Sequence, residues 1–118
     1  FANFFALADL ITWWQTTGWD FLQSQRLQLR QTLASEITRR LGWTRLTREI
    51  STTPLVAFQP PPQWQGRVRE LHQFLYHENA LVMALPSLGK NNFCMRFSLA
   101  HTNTTQEIEK VLEIFSRL

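Results

Sequence analysis

The sequence predicts an α+β fold: a small, mainly antiparallel sheet of 3-4 strands with helices packed on one face. A long interdomain helix with a bend precedes it. Three observations carry this prediction. Leu22, Leu29, Leu33, Ile37 and Leu41 recur at steps of seven, four, four and four, which draws one apolar stripe down a helix. Residues 93–99 alternate large apolar with small or polar types, the period of a half-buried strand. Thr104 followed by Glu107 is the signature of a capped helix start, with Ile108, Val111, Leu112 and Phe115 as its buried stripe.

The remaining elements follow in order. Asn3 to Thr16 is rich in apolar residues and reads as a buried helix, broken or bent at Gly18. The stretch from Trp19 to Leu41 is the second helix, and Gly42 supplies its left-handed cap. Thr44, Leu46, Arg48 and Ile50 alternate as an edge strand, and Leu55 to Phe58 as a buried one. Pro60, Pro61 and Pro62 end it, because proline cannot donate to a sheet ladder. Val68, Leu71, Phe74 and Leu75 mark a helix from Arg67 to about His77. Ala80 to Leu85 reads as a strand, and Ser87 to Asn92 as a polar turn.

The chain has 118 residues, 44% hydrophobic and 18% charged, which describes one folded unit and excludes disorder. Within it, residues 1–42 read as the connecting helical segment and 43–118 as a small C-terminal domain. The chain starts on Phe1, so it reads as a fragment or a processed protein. No apolar run is long enough to span a membrane, and a basic, cleavable leader is missing. The single cysteine, Cys94, excludes an internal disulfide and points to a cytoplasmic setting. Ten of the twelve basic residues are arginine. Arg26, Arg30, Arg39, Arg40, Arg45 and Arg48 stand against Glu36 and Glu49, a local excess that could mark nucleic acid, although no nucleic-acid-binding motif accompanies it. Trp13, Trp14, Trp19, Trp43 and Trp64 could alternatively build an oligomerisation surface.

For chemistry the residue to single out is Arg96. Phe93, Met95, Phe97 and Leu99 claim the helix-covered face, so the alternation sends Arg96 to the opposite one between Cys94 and Ser98. A guanidinium there can grip a carboxylate with two parallel hydrogen bonds. His72 and His77 are five apart, the wrong spacing for a shared metal, and His101 stands in a loop. Cys94 has no evident base beside it. Lys90 and Lys110 are the only lysines, and neither position favours burial. No phosphate-binding glycine loop and no nucleophile elbow occur, so no catalytic residue and no metal site is assigned within the chain.

Arg96-Phe97-Ser98-Leu99, then three residues, then Asn103-Thr104-Thr105-Gln106-Glu107-Ile108 resembles the C-terminal segment of fold-type I pyridoxal-phosphate enzymes. It looks most like the class V aminotransferase group, with its cysteine desulfurases and carbon–sulfur lyases. The resemblance implies that the chain is a small C-terminal domain whose Arg96 binds the α-carboxylate of an amino-acid substrate. It implies pyridoxal 5'-phosphate in the parent protein, held through a lysine in a large domain of the same polypeptide. A homodimer acting as a transaminase or lyase is implied as well. Residues 79–83, where one desulfurase subgroup carries a nucleophilic cysteine, have none, which disfavours a persulfide-forming desulfurase. Ala100-His101-Thr102 is similar to a segment of the α-oxoamine synthase branch, the second reading within the same class.

Overall fold

A computed structural model describes residues 2–48, 52–100 and 102–118, with side chains from Phe4 onward. Helix α1 spans Ala2–Thr17 and α2 spans Trp19–Glu36, running on into a π turn, Ile37–Leu41. Gly18 separates them with φ +93, a value that a side chain would strain. Gly42 takes φ +67 and its amide donates to the Thr38 carbonyl, closing the helix end as expected. Strand β1 is Leu55–Phe58. Helix α3 is Val68–Gln73, continued by a second π turn, Phe74–Glu78. A hairpin, β2 Ser87–Gly89 and β3 Asn92–Phe93, leads into β4, Met95–Ser98, and α4 is Thr105–Phe115.

Strands β1 and β4 are the antiparallel centre, in the register Leu55↔Ser98, Val56↔Phe97, Ala57↔Arg96, Phe58↔Met95. Two flanking segments join them through single bridges, Arg45↔Phe58 on one side and Ala84↔Arg96 on the other. The α+β class holds, but the expected sheet of 3-4 strands is two antiparallel sheets of two strands each, β1–β4 and β2–β3, and the expected outer strands at 44–50 and 80–85 contribute one bridge each. Of the expected 44–50 strand, Glu49 and Ile50 lie outside the described residues. The expected 80–85 strand starts late because Ala80 ends the preceding helix instead, with φ +53. Its amide reaches the Tyr76 carbonyl, and the Leu81 amide reaches that of Leu75. The 93–99 run is split at Cys94, where the chain changes partner from β2 to β1.

The alternation of the central strands sorts their side chains. Val56, Phe58, Met95 and Phe97 are buried toward the helices. They meet Leu33, Ala34 and Ile37 of α2, Leu71 and Leu75 of α3, and Ile108, Leu112 and Phe115 of α4. Trp43 closes the cluster, with ring centroids 5.0 Å from Phe115 and 6.5 Å from Phe58. Burying a large apolar side chain of this kind contributes about 1.5–3 kcal/mol. Trp64 packs at a tilt against Phe74, with ring centroids 6.0 Å apart, and lies under the Arg67 guanidinium at 5.0 Å. Both tryptophans thus serve this domain's own packing.

Helix α1 departs from expectation. It forms, but within this chain it is not buried. Phe4 and Phe5 are 74% and 73% exposed, and Leu7, Leu10, Ile11 and Trp13 are exposed too. The radius of gyration is 16.4 Å, against about 13–14 Å for a compact chain of this length.

The last helix starts on the expected capping box. Thr104 Oγ1 accepts from the Glu107 amide, and the Glu107 carboxylate accepts from the Thr104 amide. Arg40 bridges elements, with both terminal nitrogens on the Glu109 carboxylate at 2.8 and 2.9 Å and its Nε on Glu36. Glu107 is held below the ordinary carboxylate range by hydrogen bonds from Asn103 and then the Thr104 amide. Glu109 is lowered mainly by its hydrogen bonds from Arg40, and Glu36 mainly by those from Arg39.

Two outcomes follow. Ala80→Gly relieves a left-handed alanine and raises stability by about 0.5–1 kcal/mol in urea unfolding; a loss of stability would contradict that backbone geometry. Depressed carboxylates contribute stability that is present above their unfolded pKa and lost as pH falls through the folded one. Unfolding free energy is therefore flat near neutrality and declines below about pH 4. Glu109→Gln removes part of that acid slope, and an unchanged slope would show the Arg40 bridge to be without effect.

Candidate functional site

The face of the sheet turned away from the helices carries Leu55, Ala57, Arg96 and Ser98 by the β1–β4 register. Ala84 faces Arg96 from the other side, and its carbonyl accepts the Arg96 amide at 3.0 Å. Leu46 follows Arg45 opposite Ala57, and its amide donates to the Ala57 carbonyl at 2.8 Å. One row across the sheet thus reads Leu46, Ala57, Arg96, Ala84. Arg96 is exposed in the middle of it, with alanine as its cross-strand neighbour on both sides. Leu46, Leu55 and Val82 are exposed around it, at 49%, 38% and 78%.

No hydrogen bond or ion pair to the Arg96 guanidinium is found among the described residues. Glu109, one carboxylate that could have captured it, is engaged by Arg40, and Glu113 is exposed on α4. The site is an exposed arginine set among small and apolar residues of the sheet. Such a group can form a two-point bond with a planar carboxylate. Its electrostatic strength rises when a second body covers the face and excludes water.

Cys94 was expected on the same face, and the structure corrects its exposure. It is 6% exposed at the β3–β4 junction, where its amide donates to the Pro86 carbonyl. Burial raises its thiol pKa, with the Arg96 charge opposing, so it is a buried apolar group at neutral pH. His72 and His77 are exposed on α3 and its π turn, each against the Tyr76 ring. His101 lies outside the described residues. Lys90 occupies the hairpin turn with φ +50 and Lys110 the outer side of α4, both exposed. Neither stands in an enclosure that could hold pyridoxal phosphate as an imine, so the described residues do not fit that cofactor.

The basic cluster of residues 26–48 is dispersed by the fold. Arg30 is 2% exposed, with Nε on the Leu55 carbonyl at 2.8 Å and Nη2 on that of Arg48 at 2.9 Å. Arg26 Nε reaches the Leu99 carbonyl at 3.1 Å, and Gln23 Nε2 the Thr52 carbonyl at 3.0 Å. Arg39 and Arg40 pair with Glu36. The charge excess of the sequence is therefore not one solvated surface. Sequence reading missed Arg30 as an internal residue; its only signal was its place in the α2 stripe, three before Leu33 and one after Leu29.

The architecture defines a small α+β domain whose sheet has one helix-covered face and one open face bearing a central arginine. A solved structure has this fold: 8-amino-7-oxononanoate synthase from Francisella tularensis, with a TM-score of 0.55 and 23% identity, over 80% of this chain. The chain spans 27% of that synthase's length. No protein-family model and no curated protein matches the chain.

An exposed arginine with no partner among the described residues contributes little to folding. Arg96→Ala therefore changes the unfolding free energy by less than about 0.5 kcal/mol. A larger loss in chemical denaturation would reassign Arg96 to structural support.

Proposed function

We propose that this chain is the substrate-carboxylate-binding small domain of a pyridoxal-phosphate-dependent enzyme that acts on an amino acid. The observation that carries this reading is Arg96, held at the centre of an uncovered sheet face with Ala57, Ala84 and Ser98 around it and no partner among the described residues. Within that class the α-oxoamine synthase branch is as well supported as the class V aminotransferases and lyases. The synthase that shares the fold is named for a product with an amino group beside a ketone, an α-oxoamine. The Ala100-His101-Thr102 segment points the same way.

In this reading Arg96 binds the α-carboxylate at two points and so sets the orientation of the amino acid. Its work is positional, and holding a reactant in a reactive pose lowers a barrier substantially. Pyridoxal phosphate, when bound, supplies an electron sink for chemistry at the α-carbon. Its lysine and phosphate site belong to a large domain of the same polypeptide, in a homodimer. Helix α1 supports such a partner body, because a helix this apolar and this exposed needs to be covered on more than one side. No described helix is long and apolar enough to cross a membrane.

The test uses the full polypeptide loaded with pyridoxal phosphate. Arg96→Ala is expected to reduce kcat/KM for the amino acid by about 2–4 kcal/mol of transition-state binding, with the cofactor absorbance unchanged. Unaltered kinetics would remove the carboxylate role.

A further inference from the structure

The polar groups of α2 that face the sheet do not touch Arg96, yet they hold the strands on which it stands. Arg30 sends one nitrogen to Leu55 in β1 and another to Arg48, at the far end of the flanking 45–48 segment. Leu55 is paired with Ser98, two residues from Arg96, and Ala57, two further along, is the direct cross-strand neighbour of Arg96. Arg26 holds the Leu99 carbonyl, immediately beyond the end of β4. Both strands that frame the open face are therefore fastened to α2 at the same end.

We propose that Arg30 and Arg26 are positioning residues for Arg96: through the backbone carbonyls of Leu55, Arg48 and Leu99 they set where β1 and β4 lie, and so where the guanidinium meets a substrate carboxylate. The inference rests on the carboxylate-binding reading above. The chemistry of the pair fits the task. A guanidinium is a planar fork that can bond two carbonyls in fixed directions at once, whereas an ammonium is a point charge. A buried guanidinium also cannot slide, because any shift leaves donors unsatisfied away from water. A two-point bond to a carboxylate is demanding in turn, and a displacement of about 1 Å costs on the order of a hundredfold in rate.

The experiment uses the full polypeptide loaded with pyridoxal phosphate, and a ratio as its readout. Glycine and the common L-amino acids are screened for the largest change in cofactor absorbance. The best responder and its carboxamide, in which an uncharged NH2 donor replaces one carboxylate oxygen, are then titrated at a pH above the α-amino pKa of both. The amino acid to amide affinity ratio measures the contact with Arg96 itself. A purely structural role for Arg30 would lower both affinities together and leave the ratio intact. Arg30→Lys is expected to lower the ratio by about tenfold, to raise KM more than it lowers kcat, and to be non-additive with Arg96→Ala. Arg26→Gln, at a half-buried position that tolerates change better, should lower the ratio in the same direction by a smaller factor. It decides the matter if Arg30→Lys does not fold. Ratios at the wild-type value in every Arg26 and Arg30 variant that folds, while Arg96→Ala collapses the ratio, overturn the positioning role and leave the proposed function standing. A ratio that Arg96→Ala does not change, or a protein that responds to no amino acid, overturns both.

Discussion

The two-residue alternation of the central strand governs the whole molecule. Along β4 it turns Met95 and Phe97 into the helix layer and Arg96 and Ser98 away from it. A slip of one residue would bury a guanidinium among Phe58, Leu75 and Phe115 and expose two large apolar side chains. The hydrophobic core and the open, cationic face are therefore one choice of register seen from its two sides. The packing that stabilises the domain also fixes the side on which Arg96 stands.

The distribution of apolar surface gives the domain its character. The core between sheet and helices is closed, with Val56, Phe58, Leu71 and Met95 fully buried. Helix α1 and the rim of the open face are not, and they carry most of the exposed large apolar residues. Contiguous exposed apolar surface of this extent is uncommon on a lone folded chain. Two separate regions show it, one a helix and one a sheet face, and in the proposed reading these are the surfaces that the rest of the polypeptide would cover.

Arginine serves opposite purposes in the same chain. Arg96 is exposed with no side-chain partner among the described residues, while Arg30 is enclosed and bonded to two carbonyls of different segments. Arg40 lies between these extents, at a half-open junction of α2's end and α4. Composition counts all three alike. Their environments differ because a guanidinium can enter an interior only where carbonyls or carboxylates meet its donors. Clustering along the sequence, as in residues 26–48, says nothing about whether the charges share a surface once the chain is folded.

Much of the architecture was legible from local patterns. The α2 stripe, the Gly18 break, the Gly42 cap, the β4 alternation and the Thr104–Glu107 box are written in spacings of a few residues, and local sterics and hydrogen bonding act over that range. The outward direction of Arg96 belongs with them, since period-two geometry needs no knowledge of the rest of the fold. What the sequence left open are matters of long-range contact. Whether α1 is covered, how far the outer strands pair, where Cys94 lies and what Arg30 holds each depend on segments distant along the chain. Arg30 and Leu55, or Arg26 and Leu99, are joined across 25 and 73 positions. Only the tertiary structure decides such pairings, because a side chain's partners are set by where the backbone returns, and no local pattern records that.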